Sequence, residues 1–208
     1  PQSQPARGQT TFRRGQVVAN RYTLMDLVGK GGMGCIYKVH DNTLNEQVAL
    51  KTLLPQFVTD KLVVERFFNE ARIARQLSHP FIVRVHDIGI ADNTIYISME
   101  LLEGKSLRAV LDHQPAGQRL PVTETLRILI QLCEALEYAH QYTIHRDIKP
   151  ENVMIDSAGA VKLRDFGISK LMTNNQLTGT SVVMGTPHYM SPEQLKDSRN
   201  VDARADIY

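Results

Sequence analysis

The chain has 208 residues, 42% of them apolar and 22% charged, with a formal net charge of +2. That balance excludes a disordered, collagen-like or membrane-bundle protein, and so small a positive excess gives no electrostatic reason to expect nucleic acid as a partner. Two widely separated cysteines, Cys35 and Cys133, exclude a disulfide framework or a zinc-ligand spacing and fit a reducing, cytoplasmic setting. The polar opening, Pro1 to Arg14, has no secretory apolar core, and no apolar run approaches the ~20 residues that span a bilayer, so no membrane segment is expected.

Residues 1–20, rich in Pro, Gln, Ser, Gly and Arg, read as a flexible tail. Extended runs follow from Tyr22 to Tyr96, separated by turn residues such as Asp41-Asn42 and Asp92-Asn93. One helix interrupts them over residues 60–76, where Val63, Phe67, Ala74 and Leu77 form an apolar stripe. Glu70 sits inside that stripe, and a carboxylate on a core-facing position requires a cationic partner. Lys51, closing the apolar run Val48-Ala49-Leu50, is the nearest candidate; alone it could equally be an edge lysine. After Gly104 the pattern turns helical, with a helix from Pro121 or Thr123 to about His140 whose expected stripe is Leu126, Leu129, Cys133 and Leu136. Two short strands around Met154 and Lys162 flank the turn Asp156-Ser157-Ala158-Gly159, and residues 173–180 read as a loop. A strand-rich front lobe and a helical back lobe are expected, hinged near Glu100–Gly104.

Gly29-Lys30-Gly31-Gly32-Met33-Gly34 matches G-x-G-x-x-G, which alone is also an ordinary glycine-rich turn. A P-loop is excluded because its Gly-Lys-Ser/Thr ending is absent. A dinucleotide fold is disfavoured because Cys35 to Val39 reads as a strand where that fold opens a helix. The loop therefore joins two strands, and its backbone N–H groups are suited to approach phosphate.

His145-Arg146-Asp147-Ile148-Lys149-Pro150-Glu151-Asn152, then Asp165-Phe166-Gly167, give the spacing H-R-D-x-x-x-x-N and D-F-G. With the glycine loop and Val48-Ala49-Leu50-Lys51, the sequence resembles the eukaryotic-like (Hanks-type) serine/threonine protein kinases from Tyr22 onward. Gly185-Thr186-Pro187-His188-Tyr189-Met190-Ser191-Pro192-Glu193 gives it a bacterial flavour. The resemblance implies an α+β bilobal kinase-like fold: a tail over 1–20, an antiparallel N-lobe with one long helix over 21–103, and a mainly helical, incomplete C-lobe over 104–208. It implies transfer of the γ-phosphoryl of ATP, with Mg2+, to serine or threonine hydroxyls of protein substrates. A catalytically inactive binding or scaffold module of the same fold, or an inactive truncated fragment, is the alternative.

By the same resemblance, Asp147 orients the acceptor hydroxyl and Lys149 neutralises the transferred phosphoryl. Asn152 and Asp165 serve as magnesium ligands. Val28, Gly29, Gly31, Gly32, Gly34, Ile36, Ala49, Lys51, Glu70, Met99, Glu100 and Leu102 form the nucleotide site, Lys51 and the metal ligands converging on one triphosphate. Arg146 and Lys170 would receive a phosphate added to Thr178 or Thr180 by autophosphorylation, for which self-association is the route, while Thr186 lines the acceptor site. His145 and Phe166 pack in the core, and Asp206 bonds the backbone around Asp147. Departures from the family pattern are Cys35, expected as a quiet buried thiol, and Arg164, which precedes Asp165 where a small or apolar residue is usual. Asp206-Ile207-Tyr208 resembles the opening of the long central helix of the back lobe, so the chain reads as a catalytic domain cut short there.

Overall fold

The computed structural model describes residues 12–31, 34–91, 94–115, 117–166, 187–196 and 200–208, without the side chains of Leu62, Arg66 and Glu70. Two compact units emerge, one made of residues 1–64 with 86–101 and the other of residues 65–85 with 102–208. The division between Leu101 and Leu102 lies within the segment expected as a hinge; the divisions after Val64 and after Val85 place residues 65–85 in the second unit.

The first unit is built on a sheet ordered β1-β2-β3-β4-β6-β5. Its strands are β1 (Val17–Val18), β2 (Tyr22–Lys30), β3 (Gly34–Asp41), β4 (Glu46–Leu53), β5 (Val85–Ala91) and β6 (Thr94–Met99). Period-two alternation sets its faces. Cys35, Tyr37 and Val39 of β3 and Val48 and Leu50 of β4 are buried together with Tyr22, Leu24 and Tyr96 in one core. Cys35 is thus the enclosed thiol expected. Antiparallel partners share a face, so Ile36 opposite Lys51 and Ala49 opposite Met99 lie on the other side of the same strands.

Part of the segment expected as a tail over 1–20 belongs to the sheet. Val17–Val18 pairs with β2, Val18 is buried, and Phe12 stacks edge-on against Tyr37, whose hydroxyl accepts its N–H at 3.3 Å. Burial raises the Tyr37 phenol to a pKa of about 12. An ion-pair brace closes the unit at the ends of β2, β3 and β5. Arg21 Nε donates to both oxygens of buried Asp41, at 2.9 and 3.0 Å, and Arg21 Nη1 lies 3.3 Å from Asp87. The Arg21 hydrogen bonds hold the Asp41 carboxyl below the ordinary carboxylate range.

Between β4 and β5 come the short helix α1 (Pro55–Val58) and the longer α2 (Lys61–Gln76). Asp60 Oδ1 accepts from the Val63 N–H at 3.2 Å, an N-terminal cap that explains why the helix starts there. Val63, Phe67 and Ala74 are buried along it, and Leu77 just beyond it, as the periodicity predicts, and Ala71 is buried with them.

The second unit has the small sheet β7 (Gly104–Ser106), β8 (Val153–Asp156) and β9 (Val161–Leu163) against α4 (Val122–Ala139), with α3 (Leu107–Asp112) and α5 (Pro192–Lys196). Asp156 Oδ1 accepts from the N–H groups of Ala158 and Ala160, and Gly159 takes φ 81°, which closes the β8–β9 turn. The stripe expected on α4 is corrected. Ile128, Leu132, Ala135, Leu136 and Ala139 are buried with Val153, Ile155, Val161 and Leu163, while Leu126 and Leu129 are 52% and 49% exposed and Cys133 is exposed. Both sets recur at helical spacing, so α4 is apolar on two faces and periodicity alone cannot choose between them. No described helix is long and apolar enough to cross a membrane.

Candidate functional site

In the first unit the glycine hairpin joins β2 to β3, with Lys30 opposite Cys35, Gly29 opposite Ile36, and the Gly31 N–H donating to the Gly34 carbonyl at 2.8 Å. The third glycine has a steric reason: a Cβ on Gly34 would run into the Thr52 carbonyl where β3 and β4 approach. Gly29 has open space around it, so its lack of a side chain is not demanded by packing. A register shift between Leu27 and Gly29 leaves Val28 unpaired and exposed beside the hairpin. Ile36, Ala49, Lys51 and Met99 share the sheet face opposite the core; Ala49 is buried and Lys51 half-buried. Glu100 and Leu102 follow Met99 as half-buried residues of the segment leaving β6. Gly32, Lys170, Thr178, Thr180 and the Glu70 side chain lie outside the described residues.

In the second unit a loop spanning residues 145–152 is held from several sides. Asp206 accepts from the backbone N–H of His145 at 2.7 Å and of Arg146 at 2.6 Å, and from His140 Nε2 at 2.9 Å. Gln194 Nε2 donates to the Arg146 carbonyl at 2.9 Å. His145 is fully buried, and burial pushes its imidazole below the ordinary histidine range, so it is neutral. Its Nδ1 accepts from the Asp147 N–H at 3.2 Å, which assigns the remaining proton to Nε2, donating to the Arg164 carbonyl at 2.9 Å. Phe166 packs edge-on against this ring with centroids 4.6 Å apart, so both residues are core as expected. Arg146 and Asp165 take φ of 67° and 64°, left-handed conformations that non-glycine residues hold only when surroundings enforce them.

These restraints place a compact charge cluster. Lys149 Nζ lies 2.9 Å from Asp147 Oδ1 and 2.8 Å from Oδ2. Asn152 Nδ2 donates to the Asp147 carbonyl at 2.8 Å and to Asp147 Oδ2 at 2.9 Å. That amide nitrogen is committed to Asp147, which leaves the carbonyl oxygen as the Asn152 group suited to a cation. The Arg164 N–H donates to the Asn152 backbone carbonyl at 3.0 Å, which brings the Asp165 backbone alongside. An amide oxygen and a carboxylate are hard donors that fit Mg2+, which keeps waters and completes its shell on phosphates. The described residues contain no group of three or more His, Cys, Asp or Glu able to cage a metal without such help.

The structure thus groups Ile36, Ala49, Lys51 and Met99 on one sheet face, and Asp147, Lys149, Asn152 and Asp165 around one loop. Sequence reasoning did not find the support given by His140, His145 and Gln194. No local signal marks His140 or Gln194, whose partners are 66 and 48 residues away along the chain.

Residues 22–208 match the protein kinase domain family. A probable serine/threonine-protein kinase of Clostridium perfringens is 42% identical over 93% of this chain and 28% of its own length. The serine/threonine-protein kinase PrkC of Bacillus subtilis is 38% identical over 93% of this chain and 30% of its own. The chain therefore spans less than a third of either relative. Among solved structures, the kinase domain of Mycobacterium tuberculosis PknI matches with a TM-score of 0.75 at 32% identity, covering 95% of this chain and 72% of that one. An apo form of PpkA shares the fold at a TM-score of 0.79 and 23% identity.

Proposed function

Because the chain belongs to the protein kinase domain family, we propose that it transfers the γ-phosphoryl group of ATP to serine or threonine hydroxyls of proteins. The observation that carries this reading is the Asp147 carboxylate, held by Lys149 and Asn152 on a loop pinned through its backbone. Phosphoryl transfer asks for positioning and charge stabilisation more than for covalent help.

In the proposed step the acceptor oxygen attacks the γ-phosphorus, the bond to the β–γ bridging oxygen breaks, and ADP leaves. Asp147 orients the hydroxyl and takes its proton, with Asn152 and Lys149 fixing the carboxylate's direction. The Lys149 ammonium faces the negative charge on the transferred group. The glycine hairpin covers the phosphates with backbone N–H groups, and Lys51 meets their oxygens, its expected partner being Glu70. Val28, Ile36 and Ala49 supply apolar contact to the adenine, and the backbone of Met99, Glu100 and Leu102 its hydrogen bonds. Asn152 and Asp165 are the side chains that would hold magnesium, which would supply positive charge against the phosphates.

Regulation by phosphate rests on Arg146, whose Nε is buried with no hydrogen-bond partner among the described residues. A phosphate on Thr178 or Thr180, added by a second copy of the chain, would supply an acceptor for Arg146 and Lys170.

The test is transfer of label from ATP with Mg2+ to a serine- and threonine-containing acceptor protein, followed by mass spectrometry of acceptor and enzyme. Expected is phosphate on hydroxyls, reduced about 10²–10⁴-fold by Asp147→Asn with nucleotide binding retained. Nucleotide binding without transfer would establish the scaffold alternative instead.

A further inference from the structure

Arg164 has no role in the proposed reaction, yet its position is unusual. Its backbone is committed on both sides, the N–H to the Asn152 carbonyl at 3.0 Å and the carbonyl to His145 Nε2 at 2.9 Å. Its side chain, 32% exposed, turns back on the next residue, with Nε 3.4 Å from Asp165 Oδ2. Nε is buried and makes no hydrogen bond among the described residues. The guanidinium therefore lies beside the carboxylate as a charge, in an ion pair not completed by a hydrogen bond there. A buried donor left without an acceptor is unfavourable, and a permanently charged side chain cannot escape the cost by losing its proton.

We propose that Arg164 is a positioning residue that sets the magnesium requirement of nucleotide binding, its guanidinium neutralising Asp165 until a divalent cation takes that place. The inference rests on the reading of Asp165 as a metal-holding carboxylate given above. Two electrostatic consequences follow from the 3.4 Å separation. A cation drawn to Asp165 must compete with the guanidinium and is repelled by it, so Arg164 raises the magnesium concentration needed. The same positive charge attracts a polyphosphate that arrives without metal, so Arg164 strengthens metal-free nucleotide binding. Opposite effects on two binding equilibria distinguish this role from simple support of the local fold, whose loss would weaken both.

The experiment measures ATP binding by calorimetry, first in EDTA and then across a magnesium titration, for the wild-type protein, Arg164→Leu and Arg164→Lys. Arg164→Leu is expected to lower the half-saturating Mg2+ about two- to fivefold and to weaken binding in EDTA by a similar factor. Arg164→Lys, which keeps the charge, is expected to stay within about twofold of wild type on both measures. An unchanged or higher magnesium requirement in Arg164→Leu overturns the proposal, as does weakening of both equilibria together. Should that variant fail to fold, Arg164→Gln carries the same two readings. Wild-type protein that binds no ATP at any magnesium concentration would overturn the nucleotide reading itself, whereas normal wild-type binding with an indifferent Arg164→Leu removes only this inference.

Discussion

The two units hold their candidate functional groups by different physical means. In the first, Ile36, Ala49, Lys51 and Met99 owe their common side to the register of β3, β4 and β6, which is fixed by backbone hydrogen bonds and by the apolar face behind them. In the second, Asp147 stands on irregular backbone, and its place depends on Asp206, His145, Asn152 and Gln194, contributed from widely separated parts of the chain. A sheet distributes the task over many equivalent bonds, so no single side chain is indispensable. The loop concentrates it in a few polar groups, and each should be costly to remove.

The widest gap between the two should come from Asp206→Asn. Buried Asp206 takes two backbone N–H groups and one imidazole N–H on its carboxylate, and an amide in its place offers a single accepting oxygen and a competing donor. Hydrogen bonds to a charged group are worth about 1.5–3 kcal/mol each, so a loss of about 3 kcal/mol is expected. Denaturant titration measures it, and hydrogen exchange locates it: residues 145–149 should exchange faster while β3 and β4 stay protected. Equal loss of protection in both units would mean that the loop is not separately supported.

The reverse experiment strikes the sheet. Gly34→Ala should cost about 1–3 kcal/mol, because its methyl group meets the Thr52 carbonyl across a backbone pairing that has no room to yield. Gly29→Ala, in open space, should change stability by less than about 0.5 kcal/mol. Thermal melting of the two variants provides the contrast, and equal effects would show that the hairpin glycines are alike in packing terms.

The same distinction governs what could be read from the sequence. Extended runs bounded by turn residues revealed the strands, the apolar spacing on α2 gave its buried stripe, and Asp60 stood at the expected helix start, because each is encoded within a few residues of itself. The stripe on α4 was misassigned for the opposite reason. Leu126, Leu129 and Cys133 satisfy the helical period as well as Ile128, Leu132 and Ala135 do, and only packing on β8 and β9 decides between them. The short β1 escaped notice because two valines in a polar stretch carry no period. Within the candidate site, Asp147, Lys149, Asn152 and Asp165 were legible as a spaced motif, and Asp206 through the family resemblance. The proton arrangement on His145 was not, since it depends on the Arg164 carbonyl on one side and the Asp147 N–H on the other.

That arrangement supplies the smallest and most specific contrast, in pH. Burial depresses the His145 imidazole in the folded protein below the ordinary value of about 6.5 that it regains on unfolding. Between the two values the unfolded chain binds more protons, so stability is fully present above about pH 6.5 and is lost as the pH falls. The structural cause is direct: a proton on Nδ1 would turn the acceptor of the Asp147 N–H into a second donor facing it. In the first unit Asp41, held low by Arg21, gives a slope of the same sign but in a more acidic range, below its unfolded value of about 3.9. Denaturant midpoints measured from pH 8 to pH 5 should therefore decline below about 6.5 in the wild-type protein. His145→Gln, whose amide can accept from Asp147 and donate to Arg164 without titrating, should flatten that decline, and subtracting the two curves removes the contribution of every other histidine. An identical slope in the variant would show that the buried ring is not what makes the loop sensitive to acid.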